Sequence, residues 1–92
     1  MKITKKKDSP RYIRKEGIHS FLLSSPITCN SQHLATTLVE IEPGGKQRIH
    51  HHVPEQVYFI IAGNGKMTVG DESEIVTQDD CIFIPSNEPH GL

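Results

Sequence analysis

Residues 44–63, GGKQRIHHHVPEQVYFIIAG, contain the pattern from which both the fold class and a candidate site can be predicted. Side chains of an extended segment alternate between two faces, so an extended segment 48–52 would place Arg48, His50 and His52 on the same face. Val57–Ile61 is a nearly continuous apolar run that stops at Gly63. Such a run between turn residues predicts a central strand that is buried on both faces.

The segments on either side of this stretch are short and end in turn-forming residues. The further candidate strands are residues 18–23, 34–41, 66–69, 74–77 and 81–84. None of them keeps the 3.6-residue apolar period of a helix for long enough to predict one. Short strands with such frequent turns predict an all-β fold, either a sandwich or a closed barrel.

Length and composition predict one small globular domain. The chain has 92 residues, of which 35% are hydrophobic and 23% charged, values that argue against disorder. Residues 1–10 are polar, include three consecutive lysines and end at Pro10, so we expect a solvated arm there. The domain proper is then predicted to span residues 11–92.

The charge balance and the hydropathy limit the possible partners. Ten basic residues stand against eleven acidic ones, and a net charge of −1 gives no long-range field for nucleic acid. No stretch approaches the roughly 18 apolar residues of a membrane helix, and the N-terminus lacks the apolar segment of a secretory signal. We therefore expect a cytoplasmic protein that binds neither nucleic acid nor membrane.

Four residues are candidate metal ligands. His50 and His52 alone would be weak evidence, but Gln56 follows His52 by four positions and His90 comes after a later strand. Imidazole and amide donors converging from separate segments can chelate one transition metal ion. Gln56 has an alternative role, because a neutral amide could instead bond to a metal-bound water or to a backbone group.

Other residues in the stretch admit competing interpretations. His51 and Glu55 are spaced as on one helix face, but Pro54 between them disfavours a helix. Arg48 is either a binding residue for an anionic substrate or an arginine at the rim of the site. Cys81 lies among apolar residues and is expected to be an unreactive core thiol.

The spacing of these residues resembles the two sequence motifs of the cupin family. The first motif is a glycine, five residues, His-x-His, three or four residues, a glutamate, six residues and a glycine. Gly44, His50, His52, Gln56 and Gly63 match every spacing, with glutamine at the glutamate position.

The second motif places a proline and a histidine in the register of Pro85 and His90. Asp79 and Asn87 occupy the two positions that are glycine in the family motif. The chain stops before the final asparagine of that motif.

The resemblance implies a cupin-type jelly-roll barrel, also described as a double-stranded β-helix. It implies one divalent transition metal ion, whether Zn, Fe, Ni, Cu or Mn, held by His50, His52, Gln56 and His90. Cupins include dioxygenases and isomerases as well as binding proteins, so the fold does not choose the function. We expect a metal-dependent enzyme acting on a small polar or anionic molecule, and the alternative is a non-catalytic binding or sensing module.

The resemblance also implies a homodimer. The sequence ends two residues after His90, before the strands that would normally complete such a barrel. Because a bare sheet edge invites pairing, we expect either further residues or another element to close it. Exchange of N-terminal strands between two subunits is one such arrangement.

Overall fold

The computed structural model describes residues 1–92, and eight β-strands make up most of its regular structure. Strand β1 is Arg11–Arg14, β2 Ile18–Ser24, β3 Thr36–Ile41, β4 Gln56–Phe59, β5 Asn64–Val69, β6 Glu72–Thr77, β7 Cys81–Ile84 and β8 His90–Gly91. A 3-10 helix spans Lys6–Asp8, and the single α-helix, α1, spans Pro26–Cys29. The all-β prediction is confirmed, and no helix has the length and apolar character needed to cross a membrane.

The chain divides into two compact units, and the first contains residues 1–46. Its antiparallel sheet has the order β1-β2-β3. Ser25 follows β2 and caps α1, because its Oγ accepts hydrogen bonds from the backbone N–H groups of Ile27 and Thr28. Lys6 forms an ion pair with Glu40 of β3, which gives the polar N-terminal segment a contact with the sheet. The division into an arm of residues 1–10 and a domain of residues 11–92 stays a prediction.

The second unit, residues 47–92, contains two small sheets. Strands β4 and β7 pair antiparallel, and the other sheet has the order β6-β5-β8. The buried core of this unit consists of Met67, Val76 and Ile84, with half-buried Tyr58, Ile60, Val69, Ile82 and Leu92 packed against it. Alternate residues of β5, β6 and β7 therefore build one apolar layer.

The apolar run Val57–Ile61 is buried on one side only, so the prediction of a strand buried on both faces is wrong. Tyr58 and Ile60 pack against the core, whereas Val57 and Phe59 are 60% and 58% exposed. Cys81 lies opposite Phe59 in the sheet and is also exposed, which contradicts the core position expected for it. A run of apolar residues predicts that both faces of a strand avoid water, but it does not predict whether other residues of the same chain pack against each face.

Candidate metal centre

The two motif segments meet through the backbone of the second unit. His50 and His90 form an isolated antiparallel bridge, and each backbone N–H donates to the carbonyl of the other at 2.9 Å. The N–H of Asn87 donates to the carbonyl of His52 at 2.7 Å. These three bonds hold residues distant in sequence side by side, so their imidazoles approach one another.

The two substituted glycine positions of the second motif keep a glycine-like backbone. Asp79 has φ 72° and Asn87 has φ 61°, both in the left-handed region. Asn and Asp enter this region more readily than other non-glycine residues because their short polar side chains can form local hydrogen bonds. The substitutions therefore preserve the turns on each side of β7 that deliver His90 to the site.

The structure brings His50, His52 and His90 together as a group that could hold a metal ion. The ring centroids of His50 and His90 lie 4.3 Å apart, those of His52 and His90 4.8 Å, and those of His50 and His52 5.7 Å. One potential ligand atom from each residue lies within 4.8 Å of the other two. No Asp, Glu or Cys belongs to this group.

Backbone carbonyls orient all three rings in the same way. The Nδ1 atoms of His50, His52 and His90 lie 2.9, 2.8 and 2.8 Å from the carbonyl oxygens of Arg48, Pro54 and Glu88. A carbonyl only accepts, so each Nδ1 carries a hydrogen, and in the tautomer with its single hydrogen on Nδ1 the lone pair is on Nε2. Metal-ligating histidines almost always donate their other ring N–H to a carbonyl, a carboxylate or a water in this way.

His90 provides the test of whether the residues fit a metal ion. Its side chain is 0% exposed, and its Nε2 is a buried polar atom without a hydrogen-bond partner. An unpaired buried acceptor is destabilising, so such atoms are rare unless a ligand completes them. The orphaned lone pair, next to two similarly oriented imidazoles, fits a divalent cation.

Burial lowers the pKa of His90 below its ordinary value, because removing the ring from water disfavours the charged form. Its bond to the Glu88 carbonyl opposes this effect, and the neighbouring His50 and His52 add to it. The ring is therefore held neutral, which is the state that ligates a metal.

Gln56 lies beside the histidine group, at the start of β4. The distance from its Oε1 to Nε2 of His52 is 3.0 Å. Gln56 is exposed to solvent, whereas His90 is buried. Two lone-pair atoms facing each other at this distance would both be satisfied by a shared cation. Gln56 is therefore positioned at the solvent-facing side of the candidate site.

The other predicted residues lie outside this group. Arg48 is exposed, and its carbonyl is the acceptor for His50 Nδ1. His51 and Glu55 are also exposed and belong to no ligand group, so the structure does not assemble the rival pair.

Tyr58 packs against the core, as the apolar run predicts, and it also contacts the candidate site, which the sequence analysis did not predict. Its ring stands edge-on to His90 with centroids 6.0 Å apart, and its hydroxyl donates to Oε1 of Gln47 at 3.0 Å. Burial raises the pKa of Tyr58. Residues 56 and 58 are two positions apart in β4, and this spacing predicts that both side chains lie on the face of the strand that carries the candidate site.

The sequence and structure are similar to several known proteins. Residues 37–92 match the family model of the cupin domain. An uncharacterized protein of Methanocaldococcus jannaschii is 35% identical over 84 residues, which is 88% of this chain and 66% of that protein. Auxin-binding protein 5 of Zea mays is 25% identical over 87 residues, 85% of this chain and 58% of that protein.

Enzymes also occur among the relatives. A mannose-1-phosphate guanylyltransferase of Klebsiella pneumoniae is 34% identical over 56 residues, but these are 59% of this chain and only 12% of the enzyme. The chain thus spans less than two thirds of the length of these relatives.

A solved structure, the polyketide cyclase RemF from Streptomyces resistomycificus, superposes with a TM-score of 0.82 at 26% identity and covers 99% of this chain and 68% of that one. The family match and this superposition confirm the predicted jelly-roll fold class, and the chain belongs to the cupin family.

Proposed function

We propose that this cupin is a metal-dependent enzyme acting on a small polar or anionic molecule, with dioxygenase-like or isomerase-like chemistry. One observation carries the proposal: the buried Nε2 of His90 has no partner and lies beside two other imidazoles whose Nδ1 atoms are occupied. The enzyme names among the relatives support a catalytic role but do not supply a substrate for this chain.

The proposed ligands are Nε2 of His50, His52 and His90 together with Oε1 of Gln56. Three imidazole nitrogens in a set of four donors suit zinc, iron, nickel, copper or manganese better than calcium or magnesium, which prefer sets made of oxygen donors alone. Four protein ligands would leave room for a small molecule on the side where Gln56 is exposed.

A bound divalent ion would supply Lewis-acid activation of an oxygen atom. The residues of the chain contribute orientation and recognition. Backbone carbonyls hold the rings, Tyr58 packs against His90, and we propose that the Arg48 guanidinium binds an anionic group of the substrate.

The proposal is tested by metal binding to the purified, tag-free protein. Elemental analysis should find about one transition metal ion per chain, and calorimetric titration should show that His50→Ala and His90→Ala each weaken metal binding at least about tenfold. His51→Ala is the matched control, because His51 is adjacent, exposed and outside the group. Equal metal affinity in the wild type and His90→Ala would contradict the site.

A non-catalytic binding or sensing role is the second candidate. It is favoured by the composition of the ligand group, which contains no carboxylate that could act as a general acid or base. The relatives also include proteins named for binding, the auxin-binding proteins. A screen of enol, diketone and hydroxy-acid substrates with the metal-loaded protein separates the candidates, because binding without turnover supports the second.

We further propose a homodimer formed by the outer face of β4 and β7. Val57 pairs with Phe83 and Phe59 with Cys81 on this face, and none of the four is buried or charged. The outer positions of β5 and β6 are instead mostly polar, namely Asn64, Lys66, Thr68, Ser73 and Thr77, with Ile75 as the exception.

A second copy is the occupant that suits this face. The four side chains together supply roughly 400 Å² of apolar area, since a fully buried aromatic side chain contributes about 150–250 Å² and these are partly exposed. That is enough for the apolar centre of an interface that buries about 800 Å² per partner.

We also propose a cytoplasmic location, and the two free thiols, Cys29 and Cys81, are compatible with it.

A further inference from the structure

From the charges of the ligand group we infer that Gln56 makes the metal-loaded site selective for small organic anions that supply an oxygen donor, such as hydroxy or keto carboxylates and enolates. This inference rests on the proposed function and goes beyond it, because it names both the class of ligand and the residue that sets the preference.

The first step is a charge count at the site. A histidine that ligates a metal ion through Nε2 is a neutral ring, so His50, His52 and His90, whose Nδ1 atoms contact carbonyl oxygens, would add no charge to the site. The fourth donor, Gln56, is a neutral amide, and no Asp or Glu belongs to the group. A divalent ion bound here would keep both positive charges uncompensated by the protein.

The second step concerns the surroundings of that charge. His90 is fully buried and Tyr58 is half-buried beside it, so water screens the inner side of the site poorly. The outer side is accessible at the exposed Gln56. An approaching anion therefore gains a large electrostatic attraction, and a neutral donor does not.

The third step is that the preference is set at one position. A carboxylate in place of the amide would lie at the same distance from His52 Nε2, 3.0 Å in the present structure. It would cancel one charge of the ion and repel an anionic ligand bound at a neighbouring position. The absence of a negative charge at residue 56 thus sets the preference for anionic ligands without altering the three histidines.

The experiment compares ligand binding to the Co²⁺-loaded protein, followed by the visible absorption of the cobalt. The probes are azide and glycolate as anions and pyridine as a neutral donor, titrated at one pH and ionic strength. We expect Gln56→Glu to weaken both anions by about tenfold or more and to change pyridine affinity less than about threefold. Gln56→Ala is the matched control and should retain the anion preference, because it removes the amide without adding charge.

The outcomes separate the two levels of the proposal. Failure of the wild-type protein to take up Co²⁺ would overturn the proposed function and this inference with it. Uptake of Co²⁺ by all three proteins, with equal anion affinities in the wild type and Gln56→Glu, would overturn the inference and leave the metal site standing. A parallel weakening of pyridine and the anions would also overturn it, because that pattern indicates a steric effect rather than a charge effect.

Discussion

The side-chain oxygen of Gln56 lies 3.0 Å from Nε2 of His52, while Nδ1 of the same ring contacts the carbonyl of Pro54 at 2.8 Å. A neutral His52 ring carries one hydrogen, so it can donate to only one of these two oxygens. Two ligands about 2.1 Å from one ion are separated by about 3.0 Å in octahedral coordination and by about 3.4 Å in tetrahedral coordination. The distance between Oε1 of Gln56 and Nε2 of His52 is therefore that of two neighbouring ligands in octahedral coordination.

Replacement of His90 by leucine should separate metal binding from folding. In the metal-free protein His90→Leu removes a buried, unpaired Nε2 but also the Nδ1 bond to the Glu88 carbonyl, so the two effects oppose each other and the free energy of unfolding should change by less than about 1 kcal/mol. In Zn²⁺ at 100 times the wild-type dissociation constant, the wild type should gain about 2.7 kcal/mol, and a variant that binds at least about tenfold more weakly should gain about 1.4 kcal/mol or less. Urea unfolding with and without Zn²⁺ measures both effects, and a large loss of stability in the metal-free variant would contradict them.

The stability of the second unit should fall at alkaline pH because of Tyr58. Its pKa is raised above the ordinary value of 10.0, so the folded state keeps the proton that the unfolded state loses. The stabilising contribution is complete below pH 10 and disappears as pH rises through the folded-state pKa. Tyr58→Phe should reduce this alkaline decline, and it should cost about 1 kcal/mol at neutral pH through the lost bond to Gln47.

The chain offers a direct control for this titration. It contains two tyrosines and no tryptophan, so in Tyr12→Phe the phenolate absorbance reports Tyr58 alone. A midpoint at or below that of the denatured protein would show that burial does not raise the pKa of Tyr58.

Polar substitution on the outer face of β4 should weaken the proposed dimer. We expect Phe59→Ser to raise the dimer dissociation constant at least about tenfold, since an apolar side chain at the centre of an interface contributes most to its affinity. Ile75→Ser is the matched control, because Ile75 is 70% exposed but lies on the mostly polar face of β6. Sedimentation at several concentrations measures the equilibrium, and a wild type that stays monomeric at all of them refutes this interface.

Alanine at Gly91 should disturb the site through the backbone. A Cβ there would lie 2.9 Å from the carbonyl oxygen of Gln47 and 3.0 Å from Cδ1 of Ile49, so β8 has to shift. We expect Gly91→Ala to cost about 1–3 kcal/mol and to weaken metal binding, because His90 is the adjacent residue.

The matched control for this change is Gly65→Ala. Its Cβ would meet only the Leu92 side chain, at 3.2 Å, which can move. Its effect on the free energy of unfolding should stay within about 0.5 kcal/mol. Similar losses in both variants would show that the tight backbone approach at Gly91 is not the cause.

The sequence predicted strands more reliably than burial. The segments 18–23 and 81–84 correspond closely to β2 and β7, because local turn residues limit both. The strand β1 was not predicted, because its four residues, Arg-Tyr-Ile-Arg, do not alternate between apolar and polar and are all exposed. The apolar run predicted that Phe59 is buried, but Phe59 is exposed, because a run of apolar residues does not show which face of the strand packs against the rest of the chain.

From the sequence alone, the spacing of His50, His52, Gln56 and His90 identified the candidate ligands, because a family motif preserves the donors that one ion needs. Only the tertiary structure decided that the carbonyls of Arg48, Pro54 and Glu88 orient the three rings and that Nε2 of His90 is buried without a partner. The orientation of a ring depends on the backbone of segments far apart in the chain, and burial depends on how those segments pack. Ring orientation and burial do not follow from the spacing of residues along the chain, so neither could be predicted from the sequence.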